Sequence, residues 1–280
     1  MTFTRRLLCD LGLKAALCAP ILVKPGLAAA DENHFQPAVT PQISRATVPS
    51  RLIVIDPGHG GRDPGCIGAG NIYEKNIVLD TALDLNHVLR RAGYETLMTR
   101  DQDIFIPLQD RVEFAERHQA ALFISIHANA VSEDPHIRGA SVFTFSPDPS
   151  DPLAAAIARS ENSVEAMSAP SFKGVSPQVS NILFDLMSRS TKIESVLAQQ
   201  KMVAALSRRV DMLPNPARQA TFAVLQSAAI PSILVETAFL SNPQDEKALR
   251  TPYFRKQLAF SMKAAIDTWF KARPHAIANL

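Results

Sequence analysis

The sequence predicts a single α/β domain whose largely parallel, twisted sheet is covered by helices on both faces. Three apolar runs carry that prediction: Leu52–Asp56, Ala121–His127 and Ser232–Glu236. None alternates apolar with polar residues, as a half-exposed antiparallel strand does, so each reads as a strand buried on both faces. Segments of helical periodicity lie between the runs, and strand–helix alternation is the signature of parallel sheets. The composition agrees, since 46% hydrophobic and 20% charged residues in a 280-residue chain support a sizeable core.

The elements follow in order. After the first strand, Glu74–Ala92 is a helix with Val78, Ala82, Leu85 and Leu89 at helical spacing, stopped by Gly93. Tyr94–Thr99 is a strand, Leu108–His118 a helix, Ala121–His127 a strand and Ser141–Phe145 another. Ile193–Met212 reads as a long helix, Phe222–Leu225 as a short strand and Ser232–Glu236 as a buried one. Helices Asp245–Leu249 and Tyr253–Phe270 close the domain.

Four polar residues stand where these runs end or where the following loop starts a helix. His59 follows the first strand in Ile55-Asp56-Pro57-Gly58-His59-Gly60-Gly61, Glu74 opens the first helix, His127 ends the third strand, and Glu236 closes Ser232-Ile233-Leu234-Val235-Glu236. Open α/β sheets bind ligands at the carboxyl ends of their strands. Catalytic zinc is held by three protein ligands drawn from His and Glu, with one position left open. Two histidines, a carboxylate ligand and a further carboxylate as base therefore point to hydrolysis. Singly each residue has a plainer reading: a hydrogen-bonded loop histidine, a first-turn carboxylate favoured by the helix dipole, or an ion-paired residue at a sheet edge. Together they point to a site. His87, His118, His136 and His275 lack such placement, and His34 lies in a polar, Pro-containing stretch.

Taken together, Ile53–Gly61, Glu74-Lys75, Ser125-Ile126-His127-Ala128-Asn129 and Val235-Glu236-Thr237-Ala238-Phe239-Leu240-Ser241-Asn242 resemble the zinc-dependent N-acetylmuramoyl-L-alanine amidases of type 3, the bacterial cell-wall amidases. The resemblance runs from about Arg51 to Trp269. It implies that His59, Glu74 and His127 hold one zinc ion and that Glu236 is the catalytic base. It also implies the bond cut, the amide joining the lactyl group of N-acetylmuramic acid to the first L-alanine of the peptide stem. Residues 146–194, with the Pro-rich Ser146–Pro152 and the apolar Ile182-Leu183-Phe184-Asp185-Leu186-Met187, resemble the insertion of division-associated amidases. There a helix covers the zinc cleft and a glutamate approaches the metal. Glu161 is the best match for that glutamate, as a resting-state ligand, and Glu165 is the weaker one. The plainer reading of this helix is a solvent-facing one. The implied activator is a LytM-domain protein at the division site, and the implied result is autoinhibition relieved for daughter-cell separation. Rival readings are a zinc peptidase acting on peptidoglycan stems and a catalytically silent wall-binding regulator.

Residues 1–30 read as an export signal: Arg5 and Arg6, then an apolar stretch Leu11–Val23, then Ala28-Ala29-Ala30 before Asp31. The arginine pair and the weakly apolar core, interrupted by Lys14, favour the twin-arginine route over the general secretory one and a periplasmic destination. Cys18 follows Leu17, which argues against a lipoprotein anchor. Removing the signal takes four bases and one acid, leaving 25 bases against 26 acids, a balance with no pull toward nucleic acid. It also removes Cys9 and Cys18, so Cys66 remains alone and without an intramolecular disulfide. Lying in a Gly-rich loop, Cys66 reads as incidental rather than as ligand or nucleophile. Residues 31–50 read as a linker, and 51–275 as the catalytic domain containing the 146–194 insertion. No apolar run long enough to span a membrane follows residue 30.

Overall fold

The computed structural model describes residues 50–68, 70–130, 134–163 and 189–273. The signal, residues 31–49 of the linker, Glu165, Ile182, Leu183, Leu186 and His275 lie outside them. The elements run β1 (Ile53–Pro57), α1 (Glu74–Arg91), β2 (Thr96–Met98), α2 (Leu108–Arg117), β3 (Leu122–Asn129), β4 (Ala140–Phe145), α3 (Pro152–Asn162), α4 (Arg189–Leu206), β5 (Met212–Ala220), a 3₁₀ turn (Ala223–Leu225), β6 (Ser232–Phe239), α5 (Pro243–Leu249) and α6 (Pro252–Ala272).

The strands form one sheet in the order β2-β1-β3-β6-β4-β5. β1 pairs in parallel with β2 and β3, and β3 with β6. β4 runs antiparallel to β6 and carries β5 parallel to itself at the edge. Every residue of β1, β3, β4 and β6 is buried. One face of the sheet, with Ile53, Ile55, Ile124 and Val235, packs on α1, α4 and α6, whose Leu85, Met202 and Trp269 fill the layer. The other, with Val54, Phe123, Phe143 and Leu234, packs on α2 and α3 through Ala115, Ala154, Ile157 and Ala158. Both faces are covered, as the uninterrupted apolar runs predict.

Five segments depart from the sequence reading. The long helix starts at Arg189 and ends at Leu206, not Met212, where Arg209 and Val210 N–H groups both donate to the Leu206 carbonyl. Met212–Ala220 (MLPNPARQA) is a strand that the sequence reading did not expect. Its Pro214 and Pro216 cannot donate to a ladder, and the edge position tolerates them because only one side of β5 is paired. Phe222–Leu225 is not a strand: the Leu225 N–H turns back to the Phe222 carbonyl at 3.1 Å. Finally, β3 runs two residues past His127 and β6 three past Glu236. The polar residues expected at strand ends therefore sit inside paired strands, directly opposite one another in register.

Candidate active site

The site is built on the carboxyl end of β1, and its geometry begins with backbone. His59 has φ 59°, in the left-handed region that costs a non-glycine residue energy. Two buried arginines hold it there by taking the carbonyls that the bend exposes. Arg100 donates from Nε to Pro57 (3.0 Å) and from Nη2 to Gly58 (2.6 Å). Arg111 donates from Nη1 to Pro57 (2.7 Å) and from Nη2 to His59 (2.8 Å). Arg111 also meets Asp56 at 2.8 Å, and Asp56 accepts from Thr99 (2.6 Å) and Ser125 (2.7 Å). Burial pushes the Asp56 carboxyl up, but the Arg111 charge and these hydrogen bonds outweigh it and hold it below the usual carboxylate range. Gly58 is required by the neighbouring strand, since a Cβ there would lie 2.3 Å from the His127 ring.

The bend aims the His59 ring inward. Its Nδ1 bonds Asp63 Oδ2 at 2.8 Å, so Nε2 faces the interior, 3.0 Å from Glu74 Oε1 and 3.2 Å from Glu161 Oε2. His127 Nδ1 lies 3.2 Å from Glu74 Oε1 and 3.0 Å from Glu161 Oε2. Glu74, the first residue of α1, is fully buried; its Oε2 accepts from the Cys66 N–H and its Oε1 from the Ala128 N–H, both at 2.9 Å. Glu161 comes from the last turn of α3, whose Ala154, Ile157, Ala158 and Glu161 form one buried stripe. One ligand atom from each of His59, Glu74, His127 and Glu161 falls within 4.8 Å of all the others.

Charge alone does not explain this cluster. Burial opposes protonation of His59, yet Glu74, Glu161 and Asp63 lift it well above the usual imidazole range. Burial likewise opposes the charged His127, which Glu161 and Glu74 raise to about 10. Even so, His59 Nε2 and Glu161 Oε2 are buried without an aligned hydrogen bond among the described residues. Buried polar atoms 3.0–3.2 Å apart that do not bond one another fit a cation that all of them face. Two imidazoles and carboxylates are the donor set of zinc hydrolases. The Asp63 bond to His59 Nδ1 is of the kind that an outer carboxylate commonly makes to orient a ligating histidine.

Glu236 stands beside this cluster rather than in it. It is fully buried, in register with His127, and neither carboxylate oxygen has a hydrogen-bond partner among the described residues. Burial drives its pKa well above the usual range, with Glu161 and Glu74 adding against the pull of His127. A narrow pocket lined by Gly58, His59, Phe105, Ile106, His127 and Glu161 opens at the cluster itself.

The structure thus brings His59, Glu74, His127 and Glu161 together and sets Glu236 next to them. His87, His118 and His136 are exposed. Cys66 is not part of the cluster: its thiol donates to the Ala128 carbonyl at 2.9 Å, and burial pushes its pKa up, so it keeps its proton. Sequence reasoning missed Asp63, Arg100 and Arg111. Asp63 had a usable signal, four residues after His59 in a Gly-rich turn. The arginines had none, because their partners are backbone carbonyls up to 54 residues away.

Comparison with known proteins places this architecture. Residues 53–268 match the type 3 amidase family described as N-acetylmuramoyl-L-alanine amidase. The chain is 36% identical over 228 residues to amidase AmiA of Salmonella typhimurium, covering 81% of this chain and 78% of the relative. It is 36% identical over 221 residues to AmiA of Escherichia coli, covering 79% and 76%. Among solved structures it resembles amidase AmiC2 of Nostoc punctiforme (26% identity, TM-score 0.57, covering 79% of this chain and 97% of that one). It shares the fold of Ami1 from Mycobacterium smegmatis at 19% identity (TM-score 0.60, covering 79% and 96%). The matched span contains the whole sheet, the buried cluster and Glu236, and the chain belongs to the type 3 N-acetylmuramoyl-L-alanine amidases, enzymes of peptidoglycan hydrolysis.

Proposed function

We propose that the chain is an exported, zinc-dependent amidase that cuts between N-acetylmuramic acid and the L-alanine of the peptide stem, in the service of daughter-cell separation. The observation that carries this reading is the convergence of His59, Glu74 and His127 on one point, with Glu236 beside it and without a hydrogen-bond partner among the described residues. When bound there, zinc supplies Lewis acidity, which acidifies water and polarises a carbonyl. The chain's residues do the rest. Asp63 fixes the His59 ring, the Cys66 and Ala128 amides fix Glu74, and the packed walls exclude bulk solvent. Glu236 Oε takes a proton from the attacking water and returns it to the departing alanine nitrogen, general acid–base work worth roughly 10²–10⁴ in rate. Digestion of purified sacculi with and without chelator, read by mass spectrometry, tests this function. Intact stems freed from glycan, only without chelator, are expected; shortened stems would make the protein a peptidase.

Glu161 adds regulation to this reading. It occupies the position where a substrate carbonyl or water has to stand, and the helix carrying it is tied into the domain. Asp151 caps α3 through the Ala154 N–H (2.9 Å) and pairs with Arg218 (2.5 Å), while the Ser150 N–H donates to the Gln219 carbonyl (2.9 Å). At the other end Asn162 Nδ2 donates to the Thr221 carbonyl (2.6 Å) and its Oδ1 accepts from the Ala223 N–H (2.9 Å). The Pro-rich opening of the insertion is therefore stitched to β5, and exposure of the site requires these bonds to loosen. An activator of the LytM-domain type would shift that equilibrium by no more than its preference for the exposed form. Asn162→Ala, which removes both bonds at the Glu161 end, is expected to raise basal sacculus hydrolysis by about 5- to 30-fold, the factor that 1–2 kcal/mol is worth. Unchanged basal turnover in a folded Asn162→Ala protein would count against autoinhibition by Glu161.

Export is tested at the N-terminus. Replacing Arg5 and Arg6 together by Lys keeps the charge and is expected to hold the precursor in the cytoplasm, as read by fractionation. Normal periplasmic accumulation would indicate the general secretory route.

A further inference from the structure

Ser141 is a buried hydroxyl that the mechanism so far does not use. It is fully buried, and its Oγ has no hydrogen-bond partner among the described residues. A buried polar group without a partner costs free energy, and such groups in native proteins require an explanation. Position supplies one. Ser141 on β4 is the register partner of Glu236 on β6, and Glu236 is the register partner of His127 on β3. Paired residues share a face of the sheet, on strands about 4.8 Å apart. A row therefore crosses the site: the ligand His127, the base Glu236, then Ser141 on the side away from the cluster. Asn129 Nδ2 is also buried and unpartnered, but it lies beyond the register shift after His127, where pairing no longer fixes its distance from Glu236.

We propose that Ser141 is a substrate-binding residue of the amidase reaction, its Oγ accepting a hydrogen bond from the N–H of the scissile amide. The inference rests on the amidase reading above. With the carbonyl oxygen toward the His59–Glu74–His127 side, the amide nitrogen falls across Glu236 toward β4. Fixing the N–H on Ser141 fixes where the nitrogen lone pair emerges as the carbonyl carbon becomes tetrahedral. That lone pair then takes the proton held by Glu236, the C–N bond breaks, and the alanine amine leaves. The hydroxyl has no partner among the described residues, and the substrate N–H supplies one.

The test compares zinc-loaded wild type and Ser141→Ala on a soluble muramoyl-peptide and on its ester analogue, in which lactate replaces the first alanine. The ester has no N–H at the scissile position. On the amide, kcat/KM is expected to fall about tenfold, the worth of one hydrogen bond of about 1.4 kcal/mol. On the ester, wild type and variant are expected to agree within about twofold, on the same hydrogen-bond accounting. Metal content should be unchanged, and the unfolding temperature should hold or rise, since an unsatisfied hydroxyl has been removed. Equal losses on amide and ester, no loss on either, or a marked fall in unfolding temperature would each overturn the proposal. A protein that cleaves neither substrate, even when Asn162→Ala has released Glu161, would overturn the amidase reading itself, a pattern distinct from any defect of the Ser141 variant.

Discussion

Glu236→Gln is expected to keep its metal and its fold and to lose roughly 10²–10⁴ in kcat, the range that positioned acid–base groups supply. The side chain is fully buried and neither oxygen is bonded among the described residues, so the near-isosteric amide breaks no hydrogen bond of the free enzyme. What it loses is the capacity to hold a proton between two substrates of the same turnover, water and the leaving amine. Burial raises the pKa of this carboxyl, which makes it a stronger base toward the attacking water and brings it nearer the range of a group that can pass the proton on. Because the interaction is made in the transition state, the loss should fall on kcat and kcat/KM alike. Measured kcat on a muramoyl-peptide, with metal content by elemental analysis, decides the matter. Near-native kcat would move the role elsewhere, with Glu161 the next carboxylate in reach.

The site was more legible in the sequence than the edge of the sheet. Ile53–Asp56, Leu122–Ile126 and Ser232–Val235 are buried on both faces, so their apolar runs state their position without help from neighbours. His59 and Glu74 stand where a turn follows a strand and where a helix begins, signals that are local in the chain. His127 and Glu236 looked like strand ends because a polar residue interrupts an apolar run. In the structure β3 and β6 continue past them: His127 turns its polarity into the cluster, and Glu236 stands beside it with no hydrogen-bond partner among the described residues. β5 was hidden because Pro214 and Pro216 argue against any strand with two partners, and sequence alone does not show that this one has a single partner. The same holds for Arg100 and Arg111, whose role is fixed by carbonyls brought together only by folding. Glu161 was legible through family resemblance, and its helix also shows a buried stripe at Ala154, Ile157 and Ala158. The anchoring of that helix through Asp151 and Asn162 had no local signature, because its partners lie on β5 and the turn after it.

His127→Ala is expected to abolish both metal binding and turnover, and to do so in a way that thermal unfolding can read. On the proposed ligand set, removing His127 leaves His59 and Glu74, with Glu161 as the remaining member of the cluster. The ring also rests against Gly58, so its loss opens space as well as a coordination position. In wild type, any ion that binds only the folded state stabilises it by RT ln(1 + [L]/Kd), about 4 kcal/mol at a thousandfold excess over Kd. Chelator should therefore lower the wild-type unfolding temperature markedly and leave that of His127→Ala unchanged. The metal-free wild type keeps a second source of stability in the same residues, because Glu161 and Glu74 hold His127 protonated up to about 10. A histidine raised above its unfolded value of 6.5 contributes fully below that pH and loses the contribution as pH rises toward 10. Metal binding runs the opposite way, since it displaces that proton and strengthens as pH rises. The chelator-induced drop in wild type should consequently widen from pH 6 to pH 9, with no such widening in His127→Ala. Full zinc content in the variant, or a chelator effect that survives the substitution, would remove His127 from the metal site.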